Sequence, residues 1–281
     1  MRRLWLCVLI VSAGCRQSFD EMWKKRGGIE IEYRLLCPES ARHQSSCADV
    51  LRRRFEMAEF KYVQVSASGP DRLLLRLVEE KPERIELFRE LARRVGRVEF
   101  FRVADKATHE AWSKDWSGGS APPEPPVGFL VLPNDKPMSG EYGYLSREYL
   151  LVGREPVLVS SDIRMAVAED SKFDQRWVVS VKFTDDGERR IDSATQELYR
   201  QTPRGLIAVV IDGVILSKPT IQSEKLGGQA SISGRWGRQE AEAFAIVIRS
   251  GYLPCTLGTL EKGNPMPGRP VAERMVPPSG K

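Results

Sequence analysis

The chain changes its hydrophobic period several times, and each change marks an element. Ile29, Ile31, Tyr33 and Leu35 alternate with Glu30, Glu32 and Arg34, the period of two that belongs to a half-buried strand. Over 48–59 the period becomes helical, with Leu51, Phe55 and Ala58 on one stripe and charges opposite. Tyr62, Val63 and Val65 open a second strand, and Ser68-Gly69-Pro70-Asp71 supplies a turn. Leu73, Leu75 and Leu77 alternate with Arg72, Leu74 and Arg76 in a third strand. Pro82 suits a first helical turn, and Ile85, Phe88, Leu91 and Val95 follow helical spacing until Gly96. Val98, Phe100 and Arg102 then alternate with Glu99, Phe101 and Val103 as a fourth strand. The order β-α-β-β-α-β predicts a ferredoxin-like lobe over 27–104, an antiparallel sheet with two helices on one face.

Residues 105–156 read as a connector. Ser-Gly-Gly-Ser and Pro-Pro-Glu-Pro-Pro within 112–126 forbid a helix or an inner strand there. Short strands are predicted at 129–132 and 149–152. A second α+β lobe follows over 157–258. Trp177, Val179, Val181 and Phe183 alternate as a strand, Thr184 is placed to cap a helix, and Ile191, Thr195 and Leu198 carry its buried stripe. The apolar run 206–211 reads as a strand. Asp212-Gly213 is a strong hairpin signal, and 214–216 returns. Gly227-Gly228 breaks the chain before a strand with Ala230 and Ile232. A last helix over 240–249 is closed by Gly251 and Pro254. Residues 259–281 read as a Pro-rich tail. The fold class is therefore α+β in two lobes.

The first fourteen residues add an address. Arg2-Arg3, an apolar run over 4–11 and the small residues Ser12-Ala13-Gly14 form a secretory signal peptide. The run ends in Cys15 and resembles a bacterial lipobox, which predicts a diacylated Cys15 and a lipid anchor; plain cleavage after Gly14 and a retained anchor are the other readings. The apolar stretch of 12 residues is well short of the ~20 that a spanning helix needs. With 43 Lys+Arg against 38 Asp+Glu the formal charge is +5. Removal of 1–14 takes two Arg and no acid with it, and the remaining +3 is ordinary solvation rather than a nucleic-acid footprint. Arg52-Arg53-Arg54 reads as the outer face of a helix, with phospholipid headgroups as an alternative contact. Arg16 after the Cys, where inner-membrane retention uses Asp, favours the outer membrane.

Export places the remaining thiols in an oxidising compartment. Cys37 and Cys47 bracket a short loop and are the expected disulfide, leaving Cys255 as a buried thiol. Cys37, His43 and Cys47 match no common zinc spacing and lack a fourth ligand, so no metal is expected. Asp185 and Asp186 are adjacent on a helix and point apart, which suits a helix N-terminus rather than a catalytic pair. His109 has no Gly-x-Ser-x-Gly partner, and Gly227-Gly228 is no phosphate loop. The expectation is a protein with no catalytic residue and no cofactor.

One ordered series carries a family resemblance. Residues 180–184 (Ser-Val-Lys-Phe-Thr), then 208–219 (Ala-Val-Val-Ile-Asp-Gly-Val-Ile-Leu-Ser-Lys-Pro), then 227–234 and a helix ending in Gly251 and Leu253-Pro254 resemble the head of the first periplasmic domain of SecD, an accessory subunit of the bacterial Sec translocase. Gly27-Gly28-Ile29, the Arg-rich helix and 98–103 are similar to the base of that domain. The chain departs from the family in having a short signal where SecD has its first membrane helix, no later membrane helices and no intramembrane carboxylate. Gly237 also stands where a Ser or Thr cap is usual. The resemblance implies a periplasm-facing domain that contacts unfolded polypeptide and Sec translocase subunits, with no proton-driven step of its own. Leu226 and Trp236, in loops around the last head strand, are the candidate peptide contacts. An envelope lipoprotein that reuses the fold for assembly is the alternative.

Overall fold

A computed structural model describes residues 18–116, 121–134, 149–171, 177–261 and 264–279. The signal segment 1–14 and Cys15 lie outside the described residues. The first lobe contains α1 (Phe19–Arg26), β1 (Gly28–Leu36), α2 (Ser40–Met57), β2 (Val63–Gly69), β3 (Arg72–Leu77) and α3 (Pro82–Arg93). The chain continues through β4 (Val98–Arg102), α4 (Lys106–Trp112), β5 (Phe129–Pro133), β6 (Tyr149–Gly153) and β7 (Leu158–Val159). Next come β8 (Ile163–Asp170), β9 (Trp177–Phe183), α5 (Asp185–Tyr199), β10 (Ile207–Ile211), β11 (Val214–Ser217), β12 (Gln229–Trp236) and α6 (Arg238–Ser250). It ends with β13 (Thr256–Glu261), β14 (Asn264–Pro267) and β15 (Ala272–Val276).

The base sheet has the path β14-β13-β1-β3-β2, with β15 also on β1. Its alternation is as the sequence predicts. Ile29, Ile31, Tyr33 and Leu35 are buried under the helices with Leu51, Phe55, Phe88 and Leu91. The charges stand on the opposite face, where Glu30 pairs with Arg76 and Glu32 with Arg72. The fourth strand is the correction. Val98–Arg102 is absent from this sheet and pairs with β10 and β7 instead. Val98 and Phe100 belong to one core and Phe101 and Val103 to another, so this strand needs cover on both faces, which the base sheet does not provide.

The vacant place is filled from the far end of the chain. β13 pairs with Arg34–Leu36 of β1, and β15 pairs with Gly28–Glu32. Both are antiparallel to β1 and lie end to end along the same edge. Between them the β13–β14 hairpin peels away from the sheet. At the point of departure a Cβ on Gly258 would meet the Met266 carbonyl at 2.3 Å, so only glycine fits. The segment expected to be a tail is thus a split fourth strand with an excursion.

The disulfide follows this topology. Cys37 bonds Cys255, not Cys47. Cys37 leaves β1 beside the residue that leads into β13, whereas Cys47 points from α2 into the core as a buried free thiol. Burial pushes that thiol's pKa up. Sequence proximity of Cys37 and Cys47 was a poor guide because a helix, once formed, fixes where each Cβ points.

The head is two sheets around α5 and α6. The sheet β11-β10-β4-β7 has β10 buried throughout, and β12-β9-β8 covers the opposite side. The β5–β6 hairpin of the connector closes the outer face of β10 through Leu150 and Val152. Asp212 and Gly213 take positive φ in the β10–β11 turn. Thr184 caps α5 by accepting from the Gly187 N–H at 3.1 Å. Gly237 begins α6 without a side chain, and the Glu240 carboxylate takes its N–H at 2.8 Å instead. α6 is shared: Ala241, Phe244, Ala245 and Ile248 face the head core, while Ala243 and Val247 face the base core.

Two outcomes follow. Peptide mapping without reductant gives a Cys37–Cys255 linked pair, Cys47→Ser retains it, and Cys255→Ser lowers the unfolding free energy by about 2–5 kcal/mol. A Cys37–Cys47 linked peptide would overturn the assignment. Burial acts to raise the Glu30 pKa, but hydrogen bonds from Arg76 and Arg274 and their charges outweigh it and hold it below the ordinary 4.5. A depressed carboxylate stabilises fully above its unfolded value and loses that contribution as pH falls through the folded one. The melting-temperature gap between the parent chain and Glu30→Gln therefore narrows on acidification from about pH 7 to about pH 3, and a constant gap would contradict it.

Candidate functional site

The lobes are joined by two crossing segments, 94–97 outgoing and 250–253 returning, paired by the Leu253 N–H on the Val95 carbonyl at 2.8 Å. Arg54 of α2 sits behind them, fully buried. Its Nε donates to Ser250 Oγ at 3.1 Å, Nη1 to the carbonyls of Leu91 at 2.8 Å and of Arg94, and Nη2 to those of Val95 at 2.8 Å and Gly251 at 3.1 Å. All five guanidinium donors are used. The acceptors lie at the C-terminal ends of α3 and α6, where carbonyls lack intrahelical partners and the helix dipole favours a cation. Desolvation lowers the Arg54 pKa to about 10, against the attraction of Asp212, so it stays charged at neutral pH. Asp212 itself accepts from the Gly96 and Arg97 N–H groups at 2.8 Å. Gly96, at φ +85°, leaves no room for a Cβ between Val247 and the Arg54 guanidinium.

Arg54 therefore leaves the solvated face that the sequence suggests, while Arg52 and Arg53 remain exposed on it. Arg53 reaches the Ser250 carbonyl at 3.2 Å. Arg52 pairs with Asp49 and donates to the Val65 carbonyl at 3.0 Å.

This joint holds open a groove of about 600 Å³ between the lobes. One wall is the end of α2 with Met57 and Ala58 and the face of α3 with Glu83, Leu87 and Glu90; the other is α6 with Ile246 and Arg249, and β8 with Ala166, Val167 and Ala168. Three consecutive residues of one strand line it, so the strand presents its edge rather than a face. The direction of the backbone confirms this. In β9 the Phe183 N–H donates to Gly228 on the β12 side. By alternation Lys182, Ser180 and Val178 bond toward β8, where their register partners are Met165, Val167 and Glu169. The N–H and C=O groups of Ala166 and Ala168 are thereby aimed outward, along the groove. The small side chains at 166 and 168 allow a second backbone to approach.

Several other strand edges carry guards, whereas the middle of β8, residues 165–168, has neither charge nor proline, its charges Arg164, Glu169 and Asp170 standing at the ends. Arg52 crosses to β2, β14 contains Pro265 and Pro267, and β7 has two residues. On the outer face of β8, Met165 and Val167 are 46% and 41% exposed.

Leu226 and Trp236 lie elsewhere on the head. Trp236 is half-buried and packs on Phe244 with ring centroids 4.9 Å apart. Leu226 is half-buried over an apolar pocket of about 240 Å³ lined by Phe100, Ile191, Ile207 and Ile221, and its N–H donates to Asp192 at 2.9 Å. Neither lines the inter-lobe groove. Sequence reading missed β8 because Met165-Ala-Val-Ala168 is apolar without a period. Among the described residues, no group of acidic, His or Cys side chains is arranged to hold a metal, and no helix is long and apolar enough to cross a membrane.

Comparison with known proteins agrees with this architecture. Residues 137–255 match the family model described as SecDF, P1 head subdomain. Over 124 residues the chain is 36% identical to protein translocase subunit SecD of Magnetococcus marinus, covering 44% of this chain and 23% of that protein. Over 216 residues it is 25% identical to SecD of Syntrophobacter fumaroxidans, covering 76% of this chain and 37% of that one. The chain spans well under half the length of these relatives. A solved structure described as a membrane component SecDF that enhances protein export superposes with a TM-score of 0.59 at 20% identity, covering 87% of this chain and 99% of that one; it shares the fold.

The buried cation is the testable part of the joint. Arg54→Lys keeps the charge but cannot reach five acceptors, and buried carbonyls left unpaired cost about 1–3 kcal/mol each. A loss of at least about 3 kcal/mol in denaturant unfolding is expected, and a change within experimental error would show that the clasp is dispensable.

Proposed function

Since residues 137–255 match the SecDF P1 head subdomain, we propose that the chain is a SecD-type first periplasmic domain that binds extended segments of exported polypeptide by adding them as a strand to β8 in the inter-lobe groove. The observation that carries this is the outward-facing backbone of Ala166 and Ala168, an unguarded edge inside a groove. Pairing through the main chain is tolerant of sequence, as an export component requires, because every residue but proline offers the same donor and acceptor. The Leu226 pocket supplies a second, apolar contact on the head, while Trp236 packs on Phe244 away from it.

In this reading Cys15 carries the lipid that tethers the domain to the periplasmic side of the cell envelope, with the outer membrane favoured, and two acyl chains suffice for stable anchoring. The partners are unfolded polypeptide and Sec translocase subunits. The contribution is to hold a chain rather than to drive it, and it needs no catalytic group, cofactor or metal.

A photo-crosslinker at Val167 captures an unfolded export precursor, whereas one at Lys106 on α4 does not. Ala168→Pro removes an outward N–H without touching the β9 ladder and reduces capture at Val167. Equal capture at both positions, or full capture in a folded Ala168→Pro chain, would sink the proposal.

A further inference from the structure

The base sheet holds a second strand site, and it is already occupied. β15 completes the edge of β1 opposite Gly28–Glu32. The β1 residues beneath it are buried, yet Ala272, Glu273, Arg274 and Met275 are exposed, Met275 by 63%. None of the buried apolar residues of the base core comes from β15. What holds the strand, besides its ladder and the flanking N–H groups of Val271 on the Glu32 carbonyl at 2.7 Å and Ser279 on the Lys24 carbonyl at 2.8 Å, is charge. Arg274 grips Glu30 through Nε at 2.9 Å and Nη2 at 2.6 Å, and Glu273 meets Arg89 at 2.5 Å.

β13 is different. It lies next to the Cys37–Cys255 bridge and buries Leu257. The covalent anchor therefore protects the upper half of the split strand and leaves the lower half, beyond the hairpin, held by polar contacts alone. Such a strand can leave without uncovering an apolar core. Its departure exposes the β1 edge and the Glu30 carboxylate, which is almost fully buried in place.

We propose that the Gly28–Glu32 edge is a strand-acceptor site and that two copies of this chain exchange β15 reciprocally across it, forming a dimer. The inference rests on the strand ladder and not on the reading of the groove. A second copy is the partner whose fit is guaranteed, because it carries the same Arg274 for Glu30 and the same Glu273 for Arg89. Exchange replaces each contact by an identical one, which makes this a low-cost route to association. The connection 268–271 between β14 and β15 is the segment that redirects.

The test uses two full-length variants. In Glu30→Arg the acceptor repels its own Arg274; in Arg274→Glu the strand is repelled by its own Glu30. Exchange between the two restores opposite charge at both sites. The mixture is therefore expected to shift to dimer mass in sedimentation, with each variant alone monomeric at the same concentration. A mixture that stays monomeric overturns the proposal, as does a dimer whose crosslinks avoid β1 and β15. Because Glu30→Arg also faces Arg76 and can fail to fold, a second measurement relies on Arg274→Glu alone, a change at an exposed side chain. Its Gly28–Glu32 amides exchange hydrogen faster than in the parent chain. Adding unlabelled parent chain slows them again if β15 is donated in trans; unchanged exchange overturns the proposal.

Discussion

A guanidinium removed from water must find a partner for each of its N–H groups, and that requirement organises the joint of this molecule. Arg54 satisfies it with five acceptors, four from the two segments that link the lobes and one, the Leu91 carbonyl, from the end of α3. The segments can occupy only positions that reach one planar fork. Their spacing in turn forces a glycine at position 96, and Asp212 from the head hairpin supplies the nearest counter-charge by holding the same turn. The cost of burying the charge is offset by the two helix ends it neutralises.

The consequence reaches the groove. α6 is packed on both sides, into the base core through Ala243 and Val247 and into the head core through Phe244 and Ile248. With its C-terminus clasped by Arg54, it sets the separation of β8 from α3. The edge of β8 and the face of α3 are thereby the two sides of one groove.

Much of this was legible in the residues. The alternation around Ile29 and Leu73, the cap at Thr184, the Asp212-Gly213 turn and the last helix with its stop at Gly251 all rest on local period or local chemistry, which sequence records. The errors have one source, partners distant along the chain. Val98–Arg102 looked like a base strand because it follows the base helices, yet its second apolar face needed β10. Cys37 has Cys47 as its neighbour in sequence, but β-pairing brings Cys255 beside it. Arg54 sat in a charged run whose other two members are solvated at least in part. The unguarded edge at Ala166 and Ala168 has no sequence signature, because it is defined by the strand that is missing beside it.

The Cys37–Cys255 bridge closes a loop with a sequence separation of 218 residues, and that loop contains the whole head. Continuity of the molecule no longer depends on every peptide bond within it. A protease that cuts one exposed loop of the head produces two new termini but no fragment, since both pieces stay linked through the bridge. A lobe built as a covalent ring can suffer a single cut and remain one molecule.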